Sequence, residues 1–297
     1  MSKVGFIGLG IMGKPMAKQM VLKGSELYVF DLVESAMNEL EALGATKSTP
    51  AEIGSLCDVV FMILPHGGIV KSSLFGENGV AKTLKPGAVV VDMSSVTPVD
   101  SKYCYDELKK NGVFFLDAPV SGGEPKAIDG SLSFMVGGDE EAYERVLPLL
   151  KQMGSSAVLV GGSGSGSTTK LANQIIVNLN IAALGEGLVF AMKAGVDPEK
   201  VYEAIRGGLA GSAVMEAKAP MIMNRNFKPG GKISINHKDI KNVVNTAHEL
   251  DIPVPLSAQL FEIMQGLKVR GLLDEDHGAI VKHFEALAGV EVKKGER

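Results

Sequence analysis

The segment Gly8-Leu9-Gly10-Ile11-Met12-Gly13 constrains this chain more than any other stretch. It follows an apolar run over residues 3–8 that reads as a strand, and it opens a pattern that reads as a helix over about 11–23. A glycine-rich turn in that setting commits the chain to a β-α unit. Gly8 turns tightly, Gly10 lets backbone approach a ligand, and Gly13 lets helix and strand pack closely. The helix start offers N–H groups and the positive end of a dipole to a phosphate. Alone, the pattern also fits a bare structural turn. The next strand, 26–31, ends in Asp31, 18 residues past Gly13, near the acidic position that meets ribose hydroxyls in dinucleotide sites. Gly8, Gly10, Ile11, Met12, Gly13 and Asp31 are the candidate cofactor contacts. The Asp31 carboxylate repels a 2′-phosphate, and Leu32-Val33 provide no arginine to hold one, so NAD is expected over NADP.

Beyond this unit, short apolar runs at 58–64, 88–92 and 113–117 alternate with helix-length segments. Runs such as Val59-Val60-Phe61-Met62 are apolar without alternation, as strands covered on both faces of a parallel sheet must be. The pattern predicts an α/β fold with a doubly wound, Rossmann-type sheet. Strands at 132–136 and 157–160 extend its edge around a helix at 140–153. A Gly/Ser tract then runs from Gly161 to Ser167. Its composition fits a flexible linker, but the apolar helical periodicity over about 168–194 argues for a sharp turn into one long helix. All later segments read as helical. The expected organisation is a dinucleotide-binding domain over 1–163 and an all-α domain over 164–297 that starts with the long connecting helix.

With 297 residues, 45% hydrophobic, 22% charged and a net charge of -4, the chain lies in the globular range and lacks the basic surface that nucleic acid requires. Cys57 and Cys104 are too few for a disulfide framework, and neither they nor the scattered histidines have zinc-site spacing; no metal is expected. Four glycines interrupt the apolar N-terminal stretch and no cleavage site follows, so mature, cytoplasmic protein is expected from the first residue. No segment reads as approaching the ~20 apolar residues that cross a bilayer. The long helix carries Leu171, Ile175, Ile176, Leu179, Ile181, Leu184, Leu188, Val189 and Phe190 around much of its circumference. That needs more burial than one small domain offers, and a homodimer or homotetramer is expected.

Three further segments carry candidate chemistry. Asp117-Ala118-Pro119-Val120-Ser121-Gly122-Gly123 lies at a strand's carboxyl end, where open α/β sheets bind ligands. Ser121, Gly122 and Gly123 present a hydroxyl and unhindered N–H groups suited to a carboxylate, although an ordinary Gly-Gly turn fits the residues equally well. Lys170 and Asn173 stand three apart on one face of the long helix. A lysine near the positive end of a helix dipole gives up its proton more readily, which suits a proton donor or acceptor; a solvated surface lysine is the other reading. His237-Lys238-Asp239 reads as a charged patch at a helix start.

Together these segments resemble the β-hydroxyacid dehydrogenase family, along essentially the whole chain. Val4 to Gly13 is similar to the family's N-terminal signature, Asp117 to Gly123 to its substrate segment, Gly164 to Asn173 to its catalytic segment, and Lys238-Asp239 to its cofactor-side segment. The resemblance implies an NAD(P)-dependent oxidoreductase interconverting a small 3-oxo acid and its 3-hydroxy acid. It implies Lys170 as general acid/base, with Ser121, Gly122, Gly123 and Asn173 holding the substrate. It further implies cofactor contacts at Leu64, Pro65, Ser95 and Lys238. Several substrates fit the family: tartronate semialdehyde, 2-(hydroxymethyl)glutarate, 3-hydroxyisobutyrate and sulfolactaldehyde. Gly231 stands where an aromatic residue is usual after Gly230, which implies a more open pocket wall. A non-catalytic dinucleotide-binding module is the reading from a different class; such a module needs only the nucleotide loop, not Lys170, Asn173 and Ser121.

Overall fold

The computed structural model describes residues 3–295. By its internal contacts the chain divides into two compact units, Met1–Lys170 and Leu171–Arg297. The division falls seven residues after the change of pattern at 163/164, inside the long helix.

The first unit is built on a nine-stranded sheet. Its strands are β1 (Val4–Ile7), β2 (Leu27–Phe30), β3 (Thr46–Lys47), β4 (Val59–Met62), β5 (Val89–Asp92), β6 (Phe114–Asp117), β7 (Val120–Ser121), β8 (Leu132–Gly137) and β9 (Gly154–Gly161). The order is β3-β2-β1-β4-β5-β6-β8-β7, with β9 on β8. Strands β1 to β6 are parallel, whereas β8 runs antiparallel to β6 and β7. Strands β3 and β7, two residues each, are too short to leave a periodic trace in the sequence.

Every residue of β1, β4 and β5 is buried, because helices cover both faces. Successive side chains alternate between two cores: Val89 and Val91 enter one and Val90 the other. Helices α1 (Gly13–Leu22), α2 (Glu34–Glu41) and α7 (Glu140–Met153) supply Met16, Met20, Leu40, Val146 and Leu150 to the first core. Helices α3 (Pro50–Leu56), α4 (Gly67–Phe75) and α5 (Pro98–Lys109) supply Ile53, Val70, Leu74 and Leu108 to the second. Thr49 and Thr97 start α3 and α5 by accepting the N–H of Glu52 and Asp100, each before a proline at the first helical position. Burial pushes the thiols of Cys57 and Cys104 up to about 12, so neither is a nucleophile near neutral pH.

A short helix, α6 (Gly123–Asp129), follows β7, and α8 (Ser165–Lys193) follows β9. The Gly/Ser tract is a turn: Gly161 closes β9, and Ser165, Gly166 and Ser167 already lie in α8, which starts three residues earlier than its apolar periodicity shows. One expectation is corrected here. Among the described residues, α8 is long and apolar enough to span a bilayer, with mean hydropathy 1.8 over its most apolar window. Asn, Gln, Gly and Glu186 interrupt its apolar residues, so it shows no continuous apolar run.

In the second unit, the remainder of α8 is joined by α9 (Pro198–Ile205), α10 (Ala213–Met223), α11 (Ile233–Glu249), α12 (Pro255–Val269) and α13 (Val281–Ala288). Leu171, Ile181 and Ala182 of α8 enter a core with Ile240, Leu260 and Met264, and Leu184, Leu188 and Val189 enter another with Ala219 and Ile222. Asp276 is fully buried, paired with Lys218 at 2.8 Å and accepting the Gly230, Gly231 and Gly278 N–H groups. Burial raises its carboxyl, but Lys218 and the Gly278 N–H outweigh that and leave it below the usual carboxylate range.

Candidate active site

Because β1 to β6 are parallel, their carboxyl ends share one edge of the sheet, and the register sets neighbouring exits side by side. Ile7 pairs with Phe30 and Met62, Met62 with Asp92, and Asp92 with Asp117. The next residues, Gly8, Asp31, Ile63, Met93 and Ala118, open the loops of that edge. The order of strands reverses between β1 and β4, the switch point at which such sheets bind ligands.

The glycine-rich loop occupies the β1 exit. Gly8 has φ +97°, in the left-handed region, and a Cβ there would meet the Ile63 carbonyl oxygen at 2.3 Å. A Cβ on Gly13 would lie 1.9 Å from the Gly8 carbonyl oxygen, so the helix packs on its own loop only because Gly13 has no side chain. Gly10 is exposed, and a Cβ there would have nothing within 4 Å. No acidic residue and no side-chain cap occupies the first turn of α1. The open space over Gly10 and an uncapped helix start fit an anionic pyrophosphate. Ile11 is exposed and Met12 half-buried beside it.

Asp31, at the β2 exit, accepts the Leu9 N–H at 2.5 Å through Oδ2 and the Val33 N–H at 2.7 Å through Oδ1. It thus braces the glycine-rich loop from across the turn, a contact that only the fold reveals. At the β4 exit the Leu64 N–H donates to Ser94 Oγ at 2.8 Å, tying that loop to the β5 exit, where half-buried Ser95 follows. Pro65 is exposed.

At the β6 exit, Ser121 is half-buried and Gly122 and Gly123 are exposed, with φ of +135° and +69°. Lys170, half-buried on α8, donates from Nζ to the Val120 carbonyl oxygen at 2.8 Å. The fold therefore brings Lys170 and the 117–123 segment together across 50 residues of chain. Asp117, 1% exposed, accepts the Gly164 N–H at 2.8 Å and the Ser167 N–H at 2.7 Å. The positive end of α8 is thus met by a buried carboxylate.

Asn173, half-buried, donates to Gln174 Oε1 at 2.9 Å. In the helical unit, Gln174 donates to Asp239 Oδ2 at 2.6 Å, and Lys238 pairs with Asp239 Oδ1 at 3.1 Å. Asp239 is 1% exposed and sits in the second turn of α11, so the charged patch read at a helix start over 237–239 includes a buried carboxylate in a polar network. Gln174 went unnoticed in the sequence because a glutamine among apolar helical residues has no signature until its partner is seen.

Residues 3–162 match the model of the NAD-binding domain of 6-phosphogluconate dehydrogenase, and residues 164–284 match that of NADP-dependent 3-hydroxyisobutyrate dehydrogenase. The chain is 42% identical to 2-hydroxy-3-oxopropionate reductase of Escherichia coli K12, over 96% of its own length and 98% of the relative's. The chain belongs to the β-hydroxyacid dehydrogenase family. It is also 36% identical to 2-(hydroxymethyl)glutarate dehydrogenase of Eubacterium barkeri, over 99% and 98% of the two chains. Among solved structures it resembles Mycobacterium tuberculosis 3-hydroxyisobutyrate dehydrogenase with L-serine, at TM-score 0.88 and 27% identity, covering 95% and 98%. As a β-hydroxyacid dehydrogenase it is an NAD(P)-dependent oxidoreductase of small hydroxy or oxo acids, and the names of its relatives divide over several substrates.

Proposed function

We propose that this enzyme reduces a small 3-oxo acid, with 2-hydroxy-3-oxopropionate as the first candidate, using NADH in preference to NADPH and Lys170 as proton donor. The observation that carries this reading is the 2.8 Å contact of Lys170 Nζ with the Val120 carbonyl, one residue before the loop suited to a carboxylate. Gly8, Gly10, Ile11, Met12, Gly13 and Asp31 would hold the dinucleotide, with Leu64, Pro65 and Ser95 at the adjoining exits. Lys238 is assigned to the cofactor on the family resemblance. The bound dinucleotide supplies the hydride.

Ser121 and the N–H groups of Gly122 and Gly123 grip the substrate carboxylate, which fixes the carbonyl carbon near one position. The Lys170 ammonium then donates a proton to the carbonyl oxygen as negative charge develops on it. In the reverse direction the neutral amine takes the hydroxyl proton. Asn173, three residues further along α8, is assigned to the substrate on the family resemblance. The Asp31 carboxylate stands where a 2′-phosphate would bring like charge, which supports NADH.

The test is a panel of 3-oxo and 3-hydroxy acids assayed with NADH and NADPH on the native enzyme and Lys170→Ala. Turnover of the variant is expected to fall by ~10²–10⁴-fold, with NADH affinity nearly unchanged and the Lys170 limb of the pH profile gone. Weaker NADH binding with intact turnover at saturation would show instead that Lys170 anchors the helix or a phosphate.

A further inference from the structure

We propose that Asp117 is a positioning residue for Lys170: its carboxylate fixes the first turn of α8 against the β6 exit, so that the Lys170 amine and the 121–123 loop keep one spacing. The proposal rests on Lys170 being the proton donor. Two short arms leave a single joint. One runs from Asp117 through Ala118 and Pro119 to Val120; the other runs from Ser167 along less than one turn of α8 to Lys170. They start at the 2.7 Å bond between Asp117 Oδ2 and the Ser167 N–H, and meet again at the 2.8 Å bond between Lys170 Nζ and the Val120 carbonyl. The joint is closely packed. A Cβ on Gly166 would lie 2.2 Å from the Asp117 carbonyl oxygen, and one on Gly137 would lie 2.7 Å from Asp117 Oδ1. The Ser167 hydroxyl lies 2.8 Å from the Ser101 hydroxyl on α5. A helix cap normally comes from the residue just before the helix. Here it comes from the strand that carries the substrate loop, 50 residues away.

Asp117→Asn is nearly isosteric but replaces an acceptor by a donor, so the Gly164 or the Ser167 N–H loses its partner. The expected result is a kcat at least ~10-fold lower, with the substrate KM and NADH affinity changed less than about threefold, as a small misplacement of a proton donor produces. Acylation of Lys170 by an amine reagent, mapped by peptide mass spectrometry, is expected to change several-fold while Lys14 and Lys232 react as before. A lower melting temperature with native kcat and native Lys170 acylation would overturn the proposal and leave Asp117 as a cap only. If the native enzyme turns over none of the 3-oxo acids, the functional reading fails and the acylation comparison alone decides. If Asp117→Asn does not fold, Ser167→Ala decides. A kcat lowered about threefold or more at native melting temperature supports the proposal, and native kcat and acylation overturn it.

Discussion

Two substitutions of the same kind in the glycine-rich loop are expected to fail in opposite ways. In Gly10→Ala the new methyl meets nothing within 4 Å, and Gly10 does not occupy the left-handed region. Stability should stay level or rise by about 0.4–1 kcal/mol, because alanine restricts the unfolded chain. The methyl fills the space in which backbone would approach a phosphate. Losing one charge-assisted hydrogen bond there costs about 1.5–3 kcal/mol, a ~10–150-fold weaker NADH complex. In Gly13→Ala the methyl would lie 1.9 Å from the Gly8 carbonyl oxygen and 2.8 Å from Ile63 Cγ2. Helix and loop must part, at about 1–3 kcal/mol or more, lowering the melting temperature by roughly 2–4 °C per kcal/mol for a domain of this size. NADH fluorescence titration and thermal melting of both variants separate the two effects. Native NADH affinity in Gly10→Ala would refute the placement of the pyrophosphate, and a native melting temperature in Gly13→Ala would refute the packing argument.

Asp31→Ala should weaken NADH binding and narrow the NADH/NADPH preference, since a repulsive charge and the brace on Leu9 N–H disappear together; better use of NADPH by the native enzyme would sink the preference. Burial, with the nearby Lys218 charge, holds His277 down at about 4, against an ordinary value of ~6.5. It contributes stability that is present above ~6.5 and is lost as pH falls toward its folded value, about 3 kcal/mol in all. Urea midpoints at pH 7 and pH 4.5 should therefore differ less in His277→Asn than in the native protein, and equal differences would reject the assignment. On α8, Phe190 is 76% and Ile176 62% exposed. A dimer or tetramer by light scattering is expected, with Phe190→Asp shifting it toward monomer; a native monomer at micromolar concentration would contradict this.

Much of the first unit was legible because its signals are local. Val59-Val60-Phe61-Met62 and Val89-Val90-Val91-Asp92, short, β-branched and bounded by helix-length segments, read as strands covered on both faces, and Gly8, Gly10 and Gly13 between strand and helix read as a dinucleotide turn. Strands β3 and β7 stayed hidden because two residues show no period. The start of α8 lies before the apolar periodicity because its first turn is glycine and serine, and the carboxylate that accepts the N–H groups there, Asp117, is 47 and 50 residues away in sequence.

The roles of single residues divide the same way. Sequence alone named Lys170, Ser121, Gly122, Gly123 and Asp31 as candidates; for Lys170 and the 121–123 turn the residues left a plain structural reading open, and the family resemblance implied their roles. Only the tertiary structure decided that Lys170 reaches the Val120 carbonyl, that Asp31 braces Leu9, that Asp117 joins two segments 50 residues apart, and that Asp239 is buried against Gln174. Turn and strand propensities act between near neighbours and leave a periodic trace. A hydrogen bond across the fold depends on where distant backbone is carried by the packing of the sheet and its helices, and no local pattern encodes that.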